Sequence, residues 1–157
     1  METEERHGED LRQEDLIIGS PRSSMDDKGR FVLPAELRQR LGQEIYVTIS
    51  PDDNLYVFDP QEWKRYSEAL MARFEEDREG MVLLVQRIMG MAAKVRADGN
   101  WRFLVPQRLR EICRLQGTIF FFSRGDRIEV MNEQAAKERF AQIMSEAVRK
   151  KQAQLGF

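Results

Sequence analysis

The stretch DDKGRFVLP at residues 26–34 returns as DGNWRFLVP at residues 98–106. An internal repeat constrains a fold more than any composition does, because one supersecondary unit must then be built twice and packed on itself. Aligned on the arginine, Arg30 lies over Arg102, an offset of 72 (102 − 30), and the same offset brings Pro34 over Pro106, Leu37 over Leu109 and Arg38 over Arg110. Downstream, Val57 meets Val130 at an offset of 73 (130 − 57), so the copies differ by one residue in a loop. A chain of 157 residues holds one ordinary domain or two small ones,. A unit this short therefore shares its core with its copy, and neither half is expected to fold well alone.

Both copies read in one order. A strand, RFVL or RFLV, runs into a proline that opens a short helix, PAELRQRL or PQRLREIC. Proline suits the start of a helix because its missing N–H would be unpaired there anyway. Gly42 then stops the first helix. Two strands follow, IYVTIS and NLYVFD in the first copy and TIFFFS and RIEVM in the second, joined by the polar turns PDD and RGD,. Between strands, RGD reads as a turn whose Gly and Asp supply the backbone angles.

A helix closes each copy. Trp63, Tyr66, Leu70 and Phe74 share one face at helical spacing, and Phe140, Ile143, Met144 and Ala147 share another near the C-terminus,. These faces are expected to cover the repeat core, and with so little core per unit the chain is also expected to form a homo-oligomer. The connecting stretch GMVLLVQRIMGMAAKV, residues 80–95, reads as a buried helix whose methionines fill gaps in the core,.

Charge is distributed unevenly. The formal net charge is −2, yet residues 1–15 hold seven acids against Arg6 and Arg12, so that segment is −5 and the remainder +3. Residues 94–114 hold six basic against two acidic side chains, a local +4. A mildly basic body thus carries an acidic tail, expected to be solvated and disordered, or to compete with a polyanion for the basic face. Apolar runs fall short of the ~20 residues needed to cross a bilayer, so no membrane partner is expected. The N-terminus lacks the basic start and apolar stretch of a secretory signal, and a single cysteine excludes an internal disulfide, which together predict a reducing cytoplasm.

An enzyme is not expected. The only histidine, His7, lies in the acidic tail, and the only cysteine, Cys113, sits at an apolar helix position where an inert buried thiol is the default,. Metal-ligand spacing, an apolar-set carboxylate pair and a Gly-rich phosphate loop are all lacking. No cofactor, metal or small-molecule substrate is therefore expected.

The stretch SMDDKGRFVLPAELRQRL, followed by a hairpin ending in LYVFDPQEW, resembles the MraZ family of bacterial transcription regulators over residues 20–140,. The resemblance implies an α+β, β-rich fold in which two tandem AbrB-like (SpoVT-AbrB) units interlock as a swapped-hairpin β-barrel within one chain, with short helices and peripheral amphipathic helices. It divides the chain into an acidic N-terminal extension (1–19), unit 1 (20–62), a helical connector (63–91), unit 2 (92–135) and a C-terminal helix (136–157). It also implies a sequence-specific DNA-binding repressor, cytoplasmic and nucleoid-associated. Such a regulator forms ring-like homo-oligomers on double-stranded promoter direct repeats upstream of its own operon in the division and cell-wall gene cluster. The family signature, an Asp, three residues, then Arg, falls on Asp26 with Arg30 and on Asp98 with Arg102. The chain departs from the pattern in its N-terminal extension and at Trp101, where the residue before the signature arginine is normally glycine, as Gly29 is. Tryptophan is expected to forbid glycine's special backbone angles. It would then weaken or alter DNA contact by the second unit, or else fill a gap in the barrel.

Lys28, Arg30, Arg96 and Arg102 lie in or beside the loops that enter the first strand of each motif, where they can form one exposed basic face. Arginine can grip phosphate or pair bidentately with guanine. Asp26 and Asp98 would repel phosphate, so their expected role is to orient the arginine and hold the loop. The alternative for each Asp–Arg pair is a local ion pair without function. Arg38, Arg40, Arg108 and Arg110 are expected on solvated helix faces. Two other functions stay open: a protein-binding module of antitoxin type, with the N-terminal extension as its tail, and a ring-forming scaffold with DNA binding weakened by Trp101.

Overall fold

The computed structural model describes residues 19–157; the acidic segment 1–15 and His7 lie outside the described residues. The first copy forms β1 (Arg22–Ser24), β2 (Arg30–Val32), α1 (Ala35–Leu41), β3 (Glu44–Ile49) and β4 (Leu55–Phe58). Two connecting helices follow, α2 (Pro60–Glu76) and α3 (Arg78–Met91). The second copy repeats the series as β5 (Ala93–Arg96), β6 (Arg102–Leu104), α4 (Gln107–Ile112), β7 (Thr118–Ser123) and β8 (Ile128–Asn132). The chain ends in α5 (Glu133–Ile143) and α6 (Glu146–Leu155).

The copies interlock. The antiparallel six-stranded sheet runs β1-β7-β8-β4-β3-β5, so the first strand of each copy pairs with the hairpin of the other. Ser23 opposes Ile119, and at the other edge Ile45 opposes Val95. The two hairpins meet at the centre, where Leu55 faces Val130 and Val57 faces Ile128. β2 and β6 form a separate two-stranded ribbon, and Phe31 of β2 also bridges to Met25. The fold is α+β and β-rich, as the repeat predicts, with a sheet that curls into a half-barrel, and the β2–β6 ribbon contacts both of its edges, β1 and β5. The offset of one residue between copies is a sum of two changes. Two residues separate Leu41 from β3 while four separate Cys113 from β7, and the hairpin turn is five residues in the first copy and four in the second.

Alternation along each strand points one set of side chains inward. Phe31, Phe103, Phe121, Leu33, Leu37, Leu109, Ile45 and Ile119 are fully buried, and the Phe31 ring lies 5.8 Å from Phe103 and 5.7 Å from Phe121. Phe31 and Phe103 oppose each other across the ribbon, so burying that pair fixes which way the ribbon faces,. Pro34 and Pro106 stand at the N-caps of α1 and α4, and Gly42 (φ 72°) ends α1 with its N–H on the Arg38 carbonyl.

The peripheral helices cover less than their sequence predicts. Asp59 caps α2, and its Trp63 and Tyr66 stack on Tyr46 and Phe58 at 5.4 and 4.6 Å. Leu70 is the one buried residue of α2. α3 is not a buried helix. Asp77 ends α2 and caps α3, and α3 then meets the sheet only near its C-terminus, where Ile88 is buried and its carbonyl accepts from Thr48 Oγ1 at 2.6 Å. Leu83 is 75% exposed, and Val82, Leu84 and Met89 are exposed beside it; the helix stops at Met91 because the next residues enter the sheet as β5. In the C-terminal segment, Phe140 packs edge-on against Phe120 and Phe122, but Ser145 caps a new helix and leaves Ile143, Met144 and Val148 exposed.

Candidate nucleic-acid interface

Each signature aspartate builds its own turn. Asp26 Oδ1 accepts from the backbone N–H of Lys28 (2.9 Å) and Arg30 (2.8 Å), while Oδ2 accepts from Arg30 Nε (2.9 Å). Asp98 repeats this with Asn100 N (2.8 Å), Arg102 N (3.0 Å) and Arg102 Nε (2.7 Å). These bonds, first of all that from the following arginine's N–H, hold both carboxyls below the usual aspartate value,. Because only Nε is engaged, the terminal amino groups of Arg30 and Arg102 keep their donors for a ligand, with no acceptor among the described residues. The aspartates are therefore turn organisers and arginine orienters.

The ribbon brings the two turns together. Arg30 opposes Leu104, Phe31 opposes Phe103, and Val32 opposes Arg102. With the phenylalanines inward, Arg30, Val32, Arg102 and Leu104 share the outer face, and the two arginines are diagonal neighbours about 7–8 Å apart along the backbone. Their side chains are 27% and 35% exposed, with Val32 and Leu104 exposed between them. Lys28 stands exposed in the first turn. Its equivalent in the second is Asn100. Arg96 is exposed, but it sits on the edge strand β5, where Glu44 Oε2 accepts from it at 2.8 Å while Glu44 Oε1 meets Lys94 at 3.4 Å. The Arg96 bond leads the effects that hold the Glu44 carboxyl below its usual value. A two-stranded ribbon fits the ~12 Å major groove, and a guanidinium fork pairs with phosphate or with guanine there.

Trp101 does not lose the turn. It adopts φ 59° where Gly29 has φ 82°, and its N–H bonds the Asp98 carbonyl (3.2 Å) as Gly29's bonds Asp26's (3.0 Å). The expectation that tryptophan forbids those angles is corrected: the cost, of order 1–3 kcal/mol, is offset because the side chain packs against the core and under Arg38, whose guanidinium lies 5.4 Å from the ring centroid.

Of the four helix arginines expected on solvated faces, three are engaged instead. Arg38 Nε donates to the Leu33 carbonyl (3.0 Å) and Arg110 Nε to the Val105 carbonyl (2.9 Å). The Arg110 guanidinium lies against Gly29, where a Cβ would collide with it. Arg40 ties α1 to the RGD turn through Ser123 and the Gly125 carbonyl. Only Arg108 is as exposed as expected. The equal offset of Arg38 and Arg110 was the signal available in the sequence. Cys113 is buried and its thiol is pushed up to about 12, chiefly by burial. Among the described residues, no helix is long and apolar enough to cross a membrane.

Over 139 residues the chain is 30% identical to the transcriptional regulator MraZ of Carboxydothermus hydrogenoformans, spanning 82% of this chain and 96% of that one. The chain belongs to the MraZ family. The transcriptional regulators MraZ of Caldicellulosiruptor bescii (30% identity, 83% of this chain, 98% of that one) and Thioalkalivibrio sulfidiphilus (32%, 75% and 81%) are similar to it as well. The family model described as "MraZ protein, putative antitoxin-like" matches residues 16–85 and so takes in the Asp26–Arg30 turn. The matches that span 82–83% of the chain include both signature arginines of this MraZ chain wherever they begin.

Proposed function

We propose that this transcriptional regulator binds double-stranded promoter DNA in a sequence-specific way and acts as a repressor. The outer face of the β2–β6 ribbon and its two Asp–Arg turns form the contact. The observation that carries this reading is the pair of guanidiniums, Arg30 and Arg102, each oriented through Nε by its own aspartate and set on one outer face with donors to spare. Phosphate neutralisation by such groups releases counterions and makes affinity salt-sensitive. Direct repeats upstream of the chain's own operon, in the division and cell-wall gene cluster, are the expected target.

One ribbon offers few cations, so we read the protein as a homo-oligomer, ring-like in form, in which linked copies engage repeated boxes and raise each other's effective concentration. The exposed Val82, Leu83, Leu84 and Met89 of α3, together with Met144, Val148 and Leu155, supply apolar surface for that assembly,. The reading is tested by mobility-shift titration on the upstream DNA. Arg30→Ala and Arg102→Ala are each expected to weaken binding about tenfold or more; unchanged affinity in both would remove the DNA role. The antitoxin-type alternative predicts instead a stable complex with the product of a neighbouring gene and no shift.

A further inference from the structure

We propose that the two turns are unequal partners for DNA: the Asp26 turn presents a pair of guanidiniums, Arg30 and Arg110, while the Asp98 turn presents Arg102 with Arg38 set against the bulk of the Trp101 indole. The proposal rests on the DNA-binding reading above and gives that site a direction.

Arg38 and Arg110 are equivalent under the repeat, and each crosses to the turn of the other copy. Both are anchored the same way, Nε on the carbonyl that precedes their own copy's proline. What differs is the surface each meets. Arg110 lies against the bare backbone of Gly29, next to Arg30, with no carboxylate bound to it among the described residues. Arg38 meets an indole, with its guanidinium carbon 5.4 Å from the ring centroid, and the bulk of that ring stands where the first turn has only glycine backbone, narrowing the approach of a second partner. Neighbouring charge does not cancel the contrast. Asp27 and Lys28 oppose each other in the first turn, and Gly99 and Asn100 are neutral in the second. Asp26 and Asp98 are committed to their turns, and Glu111, which shares a cavity with Arg110, accepts from Gln107 Nε2 at 2.9 Å. A strictly two-fold molecule reads a box and its inverse equally well. Gly29 opposite Trp101 breaks that equivalence.

The test is a salt titration with a duplex from the region upstream of the protein's own gene. Arg110→Ala is expected to weaken binding about tenfold and to lower the slope of log affinity against log salt by about one. Arg38→Ala is expected to change affinity less than about twofold. In a Trp101→Gly background Arg38→Ala should become as costly as Arg110→Ala. Because Trp101 also packs on the core, thermal melts accompany these variants, and Trp101→Asn, which tolerates positive φ, serves as the second background. Equal losses for Arg38→Ala and Arg110→Ala in the parent chain would overturn the proposal. A large loss for Arg30→Ala with none for Arg110→Ala would overturn it and leave the DNA reading standing. An Arg30→Ala variant that binds normally would remove the DNA reading itself.

Discussion

Asp26 and Asp98 are the residues on which the proposed site turns, since each spends one carboxylate on two backbone N–H groups and one guanidinium. Both folded-state values lie below the ordinary one of 3.8. The turn's contribution is therefore complete above about pH 4 and is lost as pH falls through the lowered values. Hydrogen exchange at the Arg30 and Arg102 amides, corrected for intrinsic rate, should be flat from about pH 5 to 8 and rise only in more acid solution. Glu129 and Glu44 are shifted the same way and loosen the fold in that range too. Asp26→Asn separates the effects: it should raise exchange at Arg30 at all pH values and leave Arg102 as it was. Unaltered exchange at Arg30 would show that the aspartate does not organise the turn.

At the scale of elements, the hairpin of the second copy carries a feature the first lacks. Glu129 on β8 is 1% exposed, yet it accepts from Asn54 Nδ2 (3.0 Å), Arg139 (3.0 Å) and Arg124 (3.4 Å). Burial alone would raise its pKa, but these three partners outweigh burial and the net shift is downward. Arg139 belongs to α5, so the carboxylate fastens that helix to the sheet. Glu129→Ala is expected to cost about 3 kcal/mol, because a buried pair broken from one side leaves the other partner uncompensated. A melting curve should show a clear fall in Tm, and the Arg124 contact, half exposed, should account for little of it,. Glu129→Gln, which can accept from Asn54 only by turning its NH2 toward Arg139 and Arg124, should fall between. These elements also show what the sequence could and could not say. The strand, proline, helix and hairpin of each copy were legible, because period-two patterning and proline at the helix start are local signals. The burial of α3 was not: its apolar run reads alike whether it faces this chain's core or is left uncovered, and periodicity carries no partner. The contacts of Arg38 and Arg110 are not legible either, since beyond a carbonyl of their own copy they meet Trp101 and Gly29 of the other. At Trp101 the sequence suggests that glycine-like angles are closed, but packing against the core and a cation offsets the strain.

Across the whole molecule the organising fact is exchange between copies. β1 pairs with β7, β5 with β3, β4 with β8 and β2 with β6, so among the described strands each pairing outside the two hairpins joins one copy to the other. A single copy exposes unpaired strand edges and half of the Phe31–Phe103 stack,. Residues 1–77 expressed alone should accordingly be unfolded, or fold as a two-fold dimer in which the same copy takes both places. Light scattering with circular dichroism distinguishes these outcomes from a folded monomer, which would contradict the shared core. The interlock also explains why the proposed interface has two turns on one face, since pairing β2 with β6 forces both signature loops to the ends of one ribbon. That placement is tested most directly by hydrogen–deuterium exchange of the intact protein with and without a duplex from upstream of its own gene. Protection is expected at residues 26–33 and 98–105 together, lost in the Arg30→Ala/Arg102→Ala double variant. Protection confined to the α2–α3 hairpin, with both turns unchanged, would contradict the account.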